Sequence, residues 1–401
     1  MITRLQIRNY KALRDVTLNL TPIHVLIGPN DSGKTSVLEA IAALCRSVET
    51  GLAAAFSVSG RWEGLSLVWN QTPNLGVEFL ANMQVGDGAP YINCEYGLEC
   101  SFAATGKQVH IESEWANIGE SKVDLTHRGH GQSAVHRLVT EASSNLDERK
   151  RAAELVAGSL RGVQTFRFVP RFLALPAATE SSRRFRMAES GFGLATCLDD
   201  ILGYDRNRFG DLEARFRSIF PDVASIKLIS QKAYHDPSND PEQIPRFQNA
   251  EGKGIFFQFN GRERLVAAAQ VSDGVLLVLA YLALLYLPEP PRVLLVEEPE
   301  NGIHPKRLQD VMKILRELIH ESKGKTQVVL TTHSPYLVDL FEPAEVTLCQ
   351  KQDDGSVALR RLSESETVRK QVGVFTLGEI WTGEGDSALY DPAPGSTESQ
   401  P

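Results

Sequence analysis

Gly28-Pro29-Asn30-Asp31-Ser32-Gly33-Lys34-Thr35 is the stretch of this 401-residue chain whose spacing most directly implies chemistry. It reads G-x-x-x-x-G-K-[ST], a loop that offers backbone N–H groups and the positive end of a helix to a phosphate chain. Lys34 is placed to neutralise the β- and γ-phosphates and the Thr35 hydroxyl to ligate Mg²⁺, within a cradle that runs from Gly28 to Ser36. Three later stretches could serve the same reaction. Leu294-Leu295-Val296-Glu297-Glu298-Pro299 ends an apolar run in two acids. At such a strand end one carboxylate, Glu297, can hold Mg²⁺ while the next, Glu298, polarises a water. Thr331-Thr332-His333-Ser334-Pro335 ends a second apolar run, from which His333 could reach a γ-phosphate; a single histidine at a strand end also serves purely structural ends. Val271-Ser272-Asp273-Gly274 precedes a long apolar stretch. A Ser-x-Gly turn opening a helix binds anions, and Ser and Asp are also the commonest helix caps.

These residues need elements to hold them. Residues 25–27 form a short buried strand, and Lys34 opens a helix whose buried side carries Val37, Leu38, Ala40 and Ile41. Residues 292–296 and 326–330 read as buried parallel strands, with an amphipathic helix at 306–322 between them. Residues 275–287 are an almost continuous apolar helix that must be buried. A strand at 345–349 and a hairpin partner at 356–362 follow. Residues 2–7 and 16–20 alternate as half-exposed strands, joined by the polar turn R-N-Y-K-A-L-R-D, and form an antiparallel start to an otherwise parallel sheet.

Between residues 51 and 120 the texture changes. Strands at 65–69, 77–80, 91–96 and 109–114, divided by Gly, Pro and Asn turns, predict an antiparallel β-subdomain. Residues 124–144 are polar and carry His127, His130 and His136. No Cys or carboxylate completes a ligand set there, so a mobile surface loop is expected rather than a metal site. Helical spacing at 146–160, a strand at 163–172, a helical lobe at 195–220 and strands at 225–230 and 254–260 complete the middle. No fixed-period repeat is present. The tail from residue 385 is poor in apolar residues and is expected to be disordered.

A net charge of −8 argues against coating by nucleic acid through bulk attraction, though a local basic groove around Arg183, Arg184 and Arg186 stays open. The cysteines (Cys45, Cys94, Cys100, Cys197, Cys349) are odd in number and scattered, which suits a reducing cytoplasm; Cys94 and Cys100 read as strand-core thiols. The N-terminus is too charged for a signal peptide, and no apolar run reaches the ~18 residues of a membrane helix. A cytoplasmic protein without a membrane partner is expected.

Taken in order, I-R-N-Y-K-A-L (7–13), G-P-N-D-S-G-K-T-S (28–36), V-S-D-G (271–274), L-L-V-E-E-P-E-N-G-I-H-P (294–305) and T-T-H-S-P (331–335) resemble the ATP-binding-cassette (ABC) ATPases of the SMC, RecF and OLD group. The resemblance implies an α/β P-loop NTPase fold of ABC type: a mixed sheet, an antiparallel β-subdomain and a helical lobe. It implies one ATPase domain over residues 1–384, with 1–50 and 290–362 as nucleotide-binding core, 51–122 as β-subdomain, 123–289 as insert and signature lobe, and 385–401 as tail. In that family two heads sandwich two nucleotides. Ser272, Asp273 and Gly274 would then be the signature that faces the partner's γ-phosphate, and Asn301, Gly302 and His304 the loop that touches the partner's site. The cofactors implied are ATP and Mg²⁺. The partners implied are a second copy of the chain, a separately encoded effector protein, and DNA, in DNA repair or anti-phage defence. Two departures stand out: S-D-G replaces the fuller L-S-G-G-Q, and the glutamine loop has two candidates, Gln71 and Gln164. No heptads run for the roughly hundred residues of an SMC coiled coil, and only about fifty residues follow Gln350 where OLD proteins carry a nuclease domain, so a stand-alone head is expected. Two other readings compete. A non-hydrolysing ATP-dependent switch has no need of the second acid, and a P-loop kinase would need an Arg-rich lid.

Overall fold

The computed structural model describes residues 1–57, 67–69, 76–85, 91–103, 108–126, 131–141, 147–179 and 184–390. In chain order the elements are β1 (Ile2–Tyr10), β2 (Leu13–Asn19), β3 (Ile23–Ile27), α1 (Lys34–Ser47), α2 (Leu52–Ala55), β4 (Gly76–Val85), β5 (Ile92–Phe102), β6 (Val109–Ile118) and β7 (Ser121–Asp124). There follow α3 (Ala134–Thr140), α4 (Glu148–Leu160), β8 (Val163–Phe166), α5 (Pro170–Leu173), β9 (Ala177–Ala178), α6 (Leu194–Tyr204), α7 (Arg206–Ile219), β10 (Val223–Tyr234), β11 (Phe247–Phe259) and β12 (Val266–Ala267). The last third holds α8 (Asp273–Leu285), β13 (Val293–Glu297), α9 (Pro305–Glu321), β14 (Gln327–Thr331), α10 (Pro335–Val338), β15 (Val346–Lys351), β16 (Val357–Arg361), α11 (Glu366–Gln371) and α12 (Leu377–Leu389). The chain divides into two units: residues 1–164, 291–295 and 324–401, and residues 165–290 and 296–323.

The first unit owes its core to strands of contrasting pattern. In β3 all five residues are buried, as a strand covered on both faces requires. It lies between β15 and β14, parallel to both, in a sheet ordered β16-β15-β3-β14-β13-β8. The acid-bearing strand and the histidine-bearing strand are therefore neighbours. β1 instead buries Ile2, Leu5, Ile7 and Tyr10 along one face. It pairs antiparallel with β2 and β4 in a second sheet, ordered β2-β1-β4-β5-β6-β7. The expectation that β1 and β2 begin the phosphate-loop sheet is thus incorrect. Their half-buried faces need the partner that β4 supplies, and Tyr10 packs 6.0 Å from Phe79, ring to ring. The polar turn shrinks to Lys11 and Ala12, because Tyr10 and Leu13 remain in the ladder.

Three further expectations change. Residues 131–141 contain a capped helix, α3, rather than a loop. Ser133 accepts from the His136 N–H (3.1 Å), and the buried Glu114 carboxylate of β6 accepts from the Ala134 N–H (2.7 Å) and the Tyr96 hydroxyl (2.9 Å). The strand expected at 163–172 stops at Phe166 and gives way to α5, where Pro170 fits a helix's first turn. The tail is ordered past residue 385. α12 kinks at Gly385, and Leu389 is buried beneath the Thr367 hydroxyl's bond to the Ala388 carbonyl (3.1 Å). Residues 391–401, His127 and His130, and the first two residues of the strand expected at 65–69 lie outside the described residues; Val68 forms one bridge to Tyr10.

The second unit is built around α8. Leu276 to Leu284 are buried on every side, which removes the amphipathic stripe of a surface helix. α5, α6, α7 and α9 pack against it. Each buried leucine contributes ~1.5–3 kcal/mol relative to exposure. A long antiparallel hairpin, β10 with β11, completes the unit.

Candidate nucleotide-binding and hydrolysis site

In the first unit, β3 runs straight into the loop Gly28–Gly33, and α1 starts at Lys34 with no side chain capping it. Its first-turn N–H groups are the donors such a loop presents to phosphate. Two glycines shape the loop. Gly28 has φ 135, and a methyl carbon there would sit 2.3 Å from the Cys349 carbonyl oxygen of β15. Gly33 has φ 90, and a methyl carbon there would sit 2.4 Å from Val357 of β16. Both positions exclude a side chain by backbone angle and by space. Lys34 is buried, and its Nζ donates to the carbonyl oxygens of Gly28 (2.9 Å) and Pro29 (2.7 Å). Ser32 is buried, whereas Pro29, Asn30, Asp31 and Thr35 are exposed and Ser36 is half-buried. Asp31 pairs with Lys351, which holds its carboxyl below the usual range.

His333 belongs to the same unit. β14 pairs with β3 so that Thr331 lies beside Leu26, and the Thr332 N–H donates to the Leu26 carbonyl (3.1 Å). His333 is the next residue, half-buried, at the end of the sheet where the loop begins. The Ser334 N–H donates to the Thr332 hydroxyl (2.9 Å), which turns the chain into α10.

The acids and the Ser-Asp-Gly turn belong to the second unit. Glu297 ends β13 with its side chain 11% exposed, and the Arg167 guanidinium stands 3.8 Å away. Nothing in the sequence signals Arg167, which lies 130 residues upstream of Glu297. Glu298 is half-buried and adopts φ 47, a left-handed conformation rare for a non-glycine residue. Ser272 and Asp273 are exposed at the start of α8, and the Ser272 hydroxyl makes no capping bond. Gly274 is half-buried, 3.8 Å from Ile303 measured at its would-be methyl carbon.

These residues fit a magnesium–nucleotide complex. A glycine-shaped loop, an uncapped helix start and a buried ammonium match a polyphosphate. The Thr35 hydroxyl of the first unit and the Glu297 carboxylate of the second are each hard oxygen donors of the kind that Mg²⁺ takes. Among the described residues no group of three or more His, Cys, Asp or Glu stands ready to hold a metal ion. All five cysteines are buried and free, and burial pushes the Cys94 thiol up to about 11. Gln164 lies in β8, the edge strand next to β13; Gln71 falls outside the described residues. Arg184 is paired with Asp200 (3.4 Å) and stacked on Phe185, Arg186 is exposed, and Arg183 lies outside the described residues. No described helix is long and apolar enough to cross a membrane.

Comparison with known proteins bears on the family and the fold. A family model described as "AAA domain, putative AbiEii toxin, Type IV TA system" matches residues 114–339, and one described as "AAA ATPase domain" matches residues 1–148. An ATP/GTP phosphatase of Helicobacter pylori is 22% identical over 383 residues, covering 90% of this chain and 95% of its own length. An OLD nuclease of Thermus scotoductus is 22% identical over 392 residues, covering 91% of this chain, which spans 65% of that protein's length. Among solved structures, an SMC head bound to the C-winged helix domain of ScpA matches with a TM-score of 0.50 at 13% identity, over 90% of this chain and 97% of the other. At that identity the likeness concerns the fold. The chain therefore belongs to the family described as AAA domain, putative AbiEii toxin, Type IV TA system, and is an ATPase with an ABC-type head of the SMC, RecF and OLD kind.

Proposed function

We propose that residues 1–384 act as one Mg²⁺-ATP-dependent head that hydrolyses ATP between two copies of the chain. The observation that carries this reading is the register of β14 on β3, which ends the phosphate loop and His333 at the same edge of one sheet. Lys34 and the first-turn N–H groups of α1 bind the phosphate oxygens, with Pro29, Asn30, Asp31 and Ser32 shaping the approach. Glu298 orients the attacking water and accepts its proton, and His333 donates a ring N–H to the γ-phosphate. Thr35 and Glu297 would each offer an oxygen to Mg²⁺, which when bound would supply charge neutralisation at the phosphoryl group.

Ser272, Asp273 and Gly274 serve the nucleotide of the second copy. Their exposure, and a Ser272 hydroxyl that caps nothing, support a role outside their own helix. Closure of the dimer is passed on to DNA or to a separately encoded effector, in repair or defence. The exposed Arg186, beside Arg184 and the aromatic pair Phe185–Tyr204 (5.6 Å), supports a surface that combines phosphate contact with stacking. A purely binding switch is the second reading; the paired acids Glu297 and Glu298 favour hydrolysis over it. Glu298→Gln should bind ATP as before and turn over ~10²–10⁴-fold more slowly, the worth of a positioned general base. Steady-state phosphate release reads this directly, and an unchanged rate would move the base elsewhere.

A further inference from the structure

We infer that Asn301 is a positioning residue for Glu298, an inference that rests on the reading of Glu298 as the general base. Two successive turns fix Asn301. Its N–H donates to the Glu298 carbonyl (3.0 Å), and the Ile303 N–H donates to the Glu300 carbonyl (3.0 Å). From that frame the Asn301 Nδ2 reaches back to Glu298 Oε2 at 2.6 Å. Only the amide nitrogen can make this contact with a carboxylate, because the amide oxygen would face it as a second acceptor. The next residue, Gly302, lies against Pro170 and Asp273, which keeps the turn from sliding along the surface.

The contact answers two problems that Glu298 faces. Its left-handed backbone is a disfavoured conformation, so the side chain needs an anchor in the same turn to hold one direction. A carboxylate that swings freely also samples many orientations toward a water, of which few are productive. The amide's hold on Oε2 narrows the range of orientations that the carboxylate samples. Asn301 is exposed, so its replacement leaves the core intact.

The test compares Asn301→Leu, nearly isosteric and without a donor, with Asn301→Gln, which keeps one. Asn301→Leu should lower kcat by about ten- to a hundredfold, the worth of a misaligned catalytic group, with the KM for ATP and the nucleotide affinity within about twofold of the parent. Asn301→Gln should recover part of that loss. In the Glu298→Gln background, Asn301→Leu should change the residual single-turnover rate by less than about twofold, because residues that act as a unit are not additive. An equal loss in both backgrounds, or a raised KM with unchanged kcat, overturns the inference and leaves Asn301 acting independently of Glu298. Wild-type turnover by Glu298→Gln itself defeats the reading of the base, a result distinct from either.

Discussion

Lys34 is 6% exposed, with its ammonium resting on the carbonyl oxygens of Gly28 and Pro29. Its charge is therefore desolvated and confined to the loop before any phosphate contact. Lys34→Ala should weaken ATP binding by about a hundredfold or more, the upper range for hydrogen bonds to a charged group. Titration calorimetry measures this, and an unchanged affinity would remove the ammonium from the site. At this scale the sequence shows local spacing well. G-x-x-x-x-G-K-[ST], the two acids and T-T-H-S-P are each contained in a few adjacent residues. The walls of the loop are not legible in that way. The Cys349 carbonyl and Val357 reach Gly28 and Gly33 from more than 300 residues away, and no side-chain chemistry marks a backbone oxygen as a wall. Arg167 beside Glu297 is hidden for the same reason.

Among the elements, β3 carries the least expected residue, His24. It is fully buried, with Nδ1 3.0 Å from the Thr21 hydroxyl and Nε2 2.9 Å from the Thr347 hydroxyl of β15. Burial, and secondarily the Arg361 charge, lowers its pKa to about 3. An unfolded histidine titrates near 6.5, so between pH 6.5 and 3 the unfolded chain binds a proton that the folded chain refuses. Stability is whole above pH 6.5 and falls as pH drops below it, by about 1.4 kcal/mol per unit. Urea unfolding at pH 7.5 and 5.5 should show the parent losing about 1.4 kcal/mol more than His24→Gln. Equal losses would mean that the imidazole is protonated in the folded state. Long apolar runs made β3, β13, β14 and α8 legible, because burial on all sides leaves a continuous trace in the sequence. α3 left only its Ser133 cap, since the Glu114 carboxylate that also holds its start belongs to a strand some twenty residues earlier. α12 did leave one: Thr376 and Glu379 form a capping box, a local signal outweighed by the Gly- and Ser-rich composition after it.

For the whole molecule, the proposed site shared between two copies has a test that neither variant alone can pass. Ser272→Arg keeps its phosphate loop, and Lys34→Ala keeps its signature turn. Each should be inactive by itself. Mixed in equal amounts they should regain about a quarter of parental phosphate release, since half the dimers are mixed and each holds one whole site. Confirmed mixed dimers that stay inactive would place the site within one chain. The distance in sequence between the phosphate loop and its walls also orders events during translation. The loop ends at residue 33, but the strands that press on Gly28 and Gly33 are made only after residue 345. At ~5–20 residues per second, on the order of tens of seconds separate the two. The second unit, with its acids and its Ser-Asp-Gly turn, is synthesised wholly within that interval. A nascent chain thus completes the two acids and the Ser-Asp-Gly turn before it completes the walls of the glycine loop.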